Sequence, residues 1–176
     1  SSHETIMTQL FSPIALRDDH CRSAAIRHSN SRSRFVLKYL LDTNVISELR
    51  KVGDGKADPN VTAWISAHDS RDLYISAITI LELERGILSI QRRDIEQGSR
   101  LRTWMDSRVR PEFAARTISI DDEVATRCAH LHISDRRNEA DAFIAATALV
   151  HGLRVVTRNV QDFQGTGVVV VDPWRA

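Results

Sequence analysis

From residue 36 onward, short apolar runs alternate with longer segments in which apolar positions recur every three or four residues. The short runs predict buried strands at residues 35–41, 73–76, 117–120, 153–157 and 167–171. The longer segments predict helices at residues 44–51, 60–68, 77–90, 94–107, 122–133 and 139–151. This alternation indicates a three-layer α/β domain in which helices flank a central, mostly parallel five-stranded sheet.

Residues 1–35 are rich in serine and arginine and show no sustained period. This composition predicts a poorly ordered N-terminal extension, so the folded domain is predicted to span residues 36–176. We expect the natural product to begin near Val36. The alternative is that the basic stretch "RHSNSRSR" is native and serves as an arm for RNA.

The composition excludes several classes of function. In 176 residues, 42% hydrophobic content is enough for a core, and 24 basic against 23 acidic residues create no bulk field for nucleic acid or membrane. Cys21 and Cys128 lie far apart, which indicates no disulfide framework and a reducing compartment. No apolar run approaches the roughly 20 residues that span a bilayer. We therefore expect a cytoplasmic protein with no membrane partner.

The stretch "LKYLLDTNVISELR" leads an apolar strand directly into Asp42 and then into a helix. Aspartate is a favoured N-cap, so one interpretation of Asp42 is a helix cap. The other is a binding site, because open parallel sheets bind ligands just beyond the carboxyl ends of their strands.

A second acid follows the second predicted strand. Glu82 shares a helix face with Ile78 and Thr79 and is predicted to lie beside the packed seam. Glu84 and Arg85 are predicted on a solvated face. The alternative for Glu82 is an ordinary exposed helix carboxylate.

Two more acids are predicted at the same edge of the sheet. Asp141 lies in the first turn of a helix for which Asn138 or Glu139 is the more natural cap, on the side of the small residue Ala145. An acid there is costly unless it is paired or bound to a cation, although interaction with the helix N-terminus is an alternative. Asn159 and Asp162 follow the fourth strand. Turn formation alone could explain both.

Carboxylates that meet at one edge repel each other, and a divalent cation relieves that repulsion. Ligand sets made only of oxygen favour Mg²⁺, with Mn²⁺ as a possible substitute. Such a site suits phosphodiester hydrolysis, because a bound cation makes water more acidic and offsets charge on phosphate.

The segments "YLLDTNVISELR", "SAITILELERGI", "EADAFIAATALVHGL" and "VVTRNVQDF", followed by "GTGVVVVDPW", resemble the acidic motifs and closing segment of the PIN-domain ribonucleases, specifically the VapC-type toxins. The resemblance covers about residues 36–176. It implies that the metal-binding and catalytic acids are Asp42, Glu82, Asp141 and Asp162. Some relatives carry the fourth acid at the position of Asn159, so that ligand stays open.

The resemblance also implies a metal-dependent endoribonuclease that acts as a toxin. Thr43 and Asn44 match polar residues that orient water or metal, and we expect Arg85 or Arg158 to steady the RNA phosphates. The implied partners are a second copy of the chain and a VapB-type antitoxin whose C-terminal tail blocks the groove. Together they would form a heterotetramer or a larger assembly. Operator DNA would be reached only through the antitoxin.

Two other functions compete with this one. An apolar strand that ends in Asp also begins phosphatases with an aspartate nucleophile, but these need a second acid where this chain has Asn44. The protein could instead be a non-catalytic, operator-binding partner of an antitoxin.

Three further features have structural interpretations as well as functional ones. Cys128 and His132 are four residues apart, yet two ligands do not make a zinc site, so packing is favoured. The stretch "RTWMDSRVRPEF" could grip RNA through its arginines and Trp104, or it could form an amphipathic packing helix. Trp174 is predicted to pin the C-terminus to the core.

Overall fold

The computed structural model describes residues 36–134 and 138–175 and has a five-stranded sheet at its centre. The strands are β1 (Tyr39–Leu41), β2 (Leu73–Ser76), β3 (Thr117–Ile118), β4 (Arg154–Val156) and β5 (Val170–Val171). Their order is β3-β2-β1-β4-β5, and every pairing among the described residues is parallel. The α/β prediction is confirmed. The predicted extension at residues 1–35 lies outside the described residues.

Helices connect the strands. They are α1 (Thr43–Arg50), α2 (Pro59–Ser66), α3 (Ala77–Gln91), α4 (Ile95–Trp104), α5 (Arg110–Phe113), α6 (Asp122–Ser134) and α7 (Glu139–His151). Short 3₁₀ turns cover Lys51–Asp54, Ser70–Asp72 and Val160–Phe163. In the described part of the chain, no helix has both the length and the apolarity needed to cross a membrane.

The strand predicted at 73–76 has the correct bounds, the other four predicted strands were too long, and one predicted helix was too short. Strand β1 begins at Tyr39. Val36 and Leu37, which were predicted to belong to it, are exposed. The helix predicted at 94–107 continues from α4 through the π-helical turn Met105–Val109 into α5. Pro111 has no N–H to donate, so the α-helical pattern cannot run through it unchanged.

Side-chain caps place several helix starts at the carboxyl ends of strands. Asp42 caps α1 directly after β1, and Ser76 caps α3 directly after β2. Asn138, one of the two predicted cap residues, caps α7, and Gly152 ends it with φ 65°. The N-termini of α1 and α3 therefore start from neighbouring strand exits.

The core lies on both faces of the sheet. Tyr39 and Leu41 of β1 pack into a cluster with helices α1 to α5, whereas Leu40 packs on the opposite face against Ala145 and Ala148 of α7. This alternation is the period-two pattern of a strand buried on both sides. The small residues of α7 let it lie close to the sheet, which brings the start of α7 to the edge where β1 and β4 end.

Candidate functional site

The exits of β1 and β4 are joined directly. The N–H of Asp42 donates to the carbonyl of Val156 at 3.0 Å, and the Thr157 hydroxyl donates to Asp42 Oδ2 at 2.7 Å. Thr157 is fully buried, and its oxygen also accepts from Asn44 Nδ2 at 2.9 Å and the Asn159 N–H at 3.0 Å. Its one donor and two acceptor positions are all used. Thr157 therefore fixes Asp42, Asn44 and the loop after β4 relative to one another.

Asp42 caps a helix and also lines a cavity at the edge of the sheet. Its Oδ1 accepts from the Thr43 N–H at 2.7 Å, so it caps α1, and its Oδ2 accepts from Asn44 Nδ2 at 2.9 Å. Its side chain also lines an open cavity. Burial raises the pKa of Asp42, the charges of Glu82 and Asp162 raise it further, and the hydrogen bonds from Thr157 and Thr43 oppose that rise.

The cavity, about 410 Å³ in volume, collects most of the predicted site residues. Its walls are Asp42, Thr43, Asn44, Ser47, Glu48, Lys51, Glu82, Asp141, Arg158, Asn159 and Trp174. Three of its acids come from the exit of β1, from α3 and from α7. The predicted convergence of these segments at one edge of the sheet is confirmed.

Glu82 and Asp141 complete the acidic group with Asp42. The Thr43 hydroxyl donates a short hydrogen bond to Glu82 Oε2, which joins α1 to α3. Burial raises the pKa of Asp141 to about 6, with further contributions from Asp42, Asp162 and Glu82. Since three other carboxylates act on Asp141, the four acids share one electrostatic field.

The structure places the two candidates for the fourth ligand differently. Asn159 lines the cavity, whereas Asp162 is exposed on the turn Val160–Phe163 and is not among the lining residues. The charge of Asp162 nevertheless raises the pKa of Asp42 and of Asp141. Of the two predicted arginines, Arg158 lines the cavity, whereas Arg85 lies on α3 outside it; both are exposed.

Sequence reasoning missed several residues of the cavity. Ser47 and Lys51 follow Thr43 at intervals of four along α1 and its continuation, and Glu48 follows Asn44 in the same way. Helical spacing could have found them. Thr157 could have been found as a polar residue that ends an apolar strand. Trp174 follows β5 and gives no local signal for the site.

The prediction that Glu84 lies on a solvated face was wrong. Arg102 binds both Glu84 oxygens at 2.7 and 2.8 Å, and Arg110 binds one of them at 2.7 Å. These ion pairs hold the pKa of Glu84 below its usual value. The stretch that begins at Arg102 is therefore a packing element that ties α3 to α4 and α5, with Trp104 packed against the core.

Cys128 is also a packing residue. It is buried in a cluster with Val124, Ala142 and Ala146 between α6 and α7, and burial raises the pKa of its thiol. Nowhere in residues 36–134 and 138–175 do three His, Cys, Asp or Glu side chains form a ready-made metal cage. The zinc alternative at Cys128 and His132 therefore has no support.

The acidic cavity fits a hard divalent cation by its donor chemistry. Its donors are carboxylate, amide and hydroxyl oxygens, and after burial the charge of Glu82 contributes to the raised pKa of both Asp42 and Asp141. A Mg²⁺ ion keeps several waters and needs only a few direct carboxylate contacts, so a closed cage is not required.

The sequence of this chain matches a known family and is similar to curated proteins. The sequence profile of the PIN domain matches residues 39–167. The chain is 36% identical over 143 residues to VapC ribonuclease Y4jK of Sinorhizobium fredii, which covers 77% of this chain and 96% of that protein. It is 34% identical over 143 residues to Toxin FitB of Neisseria gonorrhoeae, which covers 77% of this chain and 97% of the toxin.

Solved structures share the fold. The FitAcB crystal structure from Neisseria gonorrhoeae superposes with a TM-score of 0.69 at 33% identity, covering 78% of this chain and 99% of the other. A structure of FitAB bound to an IR36 DNA fragment gives a TM-score of 0.68 at 33% identity, with 77% and 95% covered. The fold of this chain is therefore shared with these solved structures.

Proposed function

The chain belongs to the PIN domain family, among relatives of the VapC and FitB type, and on that premise we propose that it is a toxin that cleaves RNA with a divalent metal ion. The observation that carries this proposal is the meeting of Asp42, Glu82 and Asp141 in one cavity. These acids come from separate segments, and burial, followed by the charges of Asp42, Asp162 and Glu82, raises the pKa of Asp141 to about 6. A cluster of carboxylates held in this way is suited to bind a cation rather than to stabilise the fold.

We propose that Asp42, Glu82 and Asp141 hold Mg²⁺, or Mn²⁺ in its place, with Asp162 or Asn159 as a further ligand. A cation held there would lower the pKa of a bound water, which would make hydroxide available as the nucleophile, and it would offset negative charge on the phosphate. Thr157 and Asn44 orient the Asp42 carboxylate, and Thr43 orients the Glu82 carboxylate. These hydrogen bonds fix the ligand oxygens before any cation binds, which reduces the cost of ordering the site.

The relatives support a proposal for partners. Because the similar complexes are FitAcB and a DNA-bound FitAB, we propose that this chain pairs with a VapB-type antitoxin. The toxin would be a homodimer inside a heterotetramer or a larger assembly, and operator DNA would be contacted through the antitoxin. The phosphatase alternative has no support, because residue 44 is an asparagine that donates to Asp42 rather than a second acid.

The test is cleavage of total host RNA by the full chain freed of any partner. We expect discrete fragments with Mg²⁺, none with chelator, and at least about a hundredfold slower cleavage by the Asp141→Asn variant. Asp122→Asn is the matched control, since Asp122 is an exposed acid that does not line this cavity.

Each contrary result identifies what is wrong. Undiminished cleavage by Asp141→Asn protein would contradict the assignment of the site. No cleavage under any condition would contradict the nuclease and favour the operator-binding partner. Hydrolysis of small phosphoesters alone would favour the phosphatase.

A further inference from the structure

Arg158 lies at the rim of the acidic cavity and is fixed to it through its backbone. It follows Thr157 directly, its N–H donates to Asn44 Oδ1 at 3.3 Å, and its side chain is exposed. Asn44 in turn donates to Asp42. The position of Arg158 is therefore set by the same hydrogen-bond network that holds the first acid.

Trp174 supports the side chain of Arg158. The guanidinium carbon lies over the indole ring, 5.7 Å from its centroid, which is within the range of a cation–π interaction. The Trp174 N–H donates to Asp172 Oδ1 at 3.0 Å, its carbonyl accepts from Asn60 Nδ2 at 3.1 Å, and its ring packs against the core. The ring is thus a fixed platform beneath an exposed cation.

Arg158 is also the cation of this cavity that no carboxylate occupies. The other cation of the lining, Lys51, is bound to Glu48 at 2.7 Å. Outside the cavity, Arg102 and Arg110 are both bound to Glu84. Among the residues that the structure describes, Arg158 forms no ion pair, although it lines the same cavity as Asp42, Glu82 and Asp141.

The acids of this cavity repel RNA phosphates. An RNA strand bound there therefore needs a cation to offset the charge of the phosphates that lie beyond the proposed metal site. We propose that Arg158 and Trp174 form a phosphate subsite for the nucleotide next to the cleaved bond, a proposal that rests on the proposed function. Arg158 donates to the non-bridging oxygens of that flanking phosphate, for which the planar guanidinium is well suited. Trp174 is a positioning residue that acts through Arg158. This role adds to its predicted role of pinning the C-terminus.

The first test measures how RNA binding depends on salt. Affinity for a fluorescein-labelled single-stranded RNA of mixed sequence is measured against salt concentration with Mg²⁺, in an Asp141→Asn background that slows cleavage. Loss of one phosphate contact lowers the slope of log affinity against log salt by about 0.7 for single strands. We expect this decrease, with about tenfold weaker binding, for Arg158→Gln. Arg93→Gln, the same change at an exposed residue outside the cavity lining, should keep the parental slope.

The second test asks whether Trp174 acts through Arg158. In the otherwise native chain, we expect Trp174→Ala to raise KM about threefold with kcat nearly unchanged, as loss of an exposed cation–π contact predicts. Trp174→Phe keeps an aromatic face and should recover most of that loss. In Arg158→Gln protein, Trp174→Ala should add little, because residues in one interaction are not additive.

The outcomes separate this inference from the proposed function. If the native chain cleaves RNA but Arg158→Gln leaves the salt slope unchanged, the subsite is wrong and the nuclease stands. Equal losses from Trp174→Ala with and without Arg158 would show a packing role and contradict the positioning role. If the chain neither binds nor cleaves RNA, the proposed function fails and the subsite fails with it.

Discussion

At the scale of single residues, one carboxylate serves the fold and the site together. Asp42 caps α1 through Oδ1 and accepts from Asn44 and Thr157 through Oδ2, all while facing the cavity. The cap and the ligand were opposed interpretations from the sequence, yet a carboxylate has enough acceptor positions for both. The helix cap therefore orients the acid that the site uses.

The raised pKa of Asp141 predicts a dependence of stability on pH in metal-free protein. With a folded pKa of about 6 against an ordinary 3.8, the folded state holds a proton that the unfolded chain has lost between these pH values. This stabilisation is present at low pH and is lost as pH rises through about 6. An asparagine at residue 141 does not ionise, so Asp141→Asn does not undergo this loss of stability. Near pH 7 we expect its free energy of unfolding to exceed that of wild type by about 1 kcal/mol after allowance for solvent screening, which corresponds to a Tm higher by about 2–4 °C.

Thermal unfolding in chelator across this pH range measures the effect. Asp122→Asn should follow the wild type. If Asp141→Asn protein also loses stability in parallel with wild type between about pH 4 and pH 7, the pKa shift belongs to another group.

Thr157 offers a test of the hydrogen-bond network. Thr157→Val keeps the shape but removes one of the two acceptors of Asn44 Nδ2, the acceptor of the Asn159 N–H, and one of the three donors to Asp42. We expect a loss of about 1–3 kcal/mol in the free energy of unfolding and about tenfold weaker Mg²⁺ affinity. Urea unfolding and Mg²⁺ titration measure these two effects. Thr157→Ser keeps the hydroxyl and should retain most of the Mg²⁺ affinity; an equal loss of affinity would show that the methyl group, not the network, matters.

The sequence foretold the acids better than it foretold their surroundings. Asp42 and Asp141 stand at ends of periodic segments, so their place at the sheet edge follows from local patterns. The partners of Glu84 lie on α4 and α5, and Thr157 meets Asp42 only because β4 pairs with β1. Contacts between distant segments have no local signal, which is why Glu84 was misassigned and Thr157 was missed.

At the scale of elements, the helical hairpin of α3 and α4 depends on one glycine. A Cβ on Gly98 would lie 2.1 Å from Gln91 Cγ and 2.6 Å from Gln91 Cα, whereas a Cβ on Gly86 would meet nothing within 4 Å. The Gln91 backbone cannot move away without disturbing the end of α3. The two helices therefore pack closely because residue 98 has no side chain.

Gly98→Ala and Gly86→Ala should have opposite effects on the stability of the protein. We expect Gly98→Ala to destabilise the protein by about 1–3 kcal/mol through overpacking. Gly86→Ala, in an open position of the same hairpin, should stabilise it by up to about 1 kcal/mol through helix propensity. Urea unfolding of both variants measures the difference, and a neutral Gly98→Ala variant would mean that the hairpin adjusts freely.

Element types were easier to predict than element lengths. Short apolar runs located all five strands of the described sheet, but β3 and β5 each contain only two paired residues. Strand ends depend on where the neighbouring strand stops, as in the pairing of β4 with β5, and a single segment does not carry that information. The predicted helix ended at residue 107, whereas the chain continues from α4 through the π-helical turn into α5, which carries Pro111 in its first turn.

At the scale of the whole molecule, the site is assembled from segments that are distant in sequence. Asp42, Glu82 and Asp141 meet only when β1, β2 and α7 have taken their places around the sheet. A ligand bound to all three therefore binds the folded chain and not the unfolded one. Its binding free energy adds to the stability of the entire domain.

We expect Mg²⁺ to raise the free energy of unfolding by about 2.7 kcal/mol at a concentration about 100 times its Kd. The urea midpoint should rise with the slope m unchanged, because the surface exposed on unfolding stays the same. Glu82→Gln should weaken the rise. The matched control is Glu96→Gln, because Glu96 is exposed and pairs only with the exposed Arg100 among the described residues. A rise of equal size in Glu82→Gln protein would place the cation elsewhere.

The two-residue edge strands also limit how another chain can approach. Strands β3 and β5 form the outer edges of the sheet, and each offers only a short row of backbone donors and acceptors. Recognition by β-augmentation needs a longer edge, and so does the edge-to-edge pairing that leads to aggregation. A peptide partner must therefore rely on side-chain pockets or on a helix laid in a groove. Its specificity would then be altered by exchanging single anchor residues, without disturbing the register of the sheet.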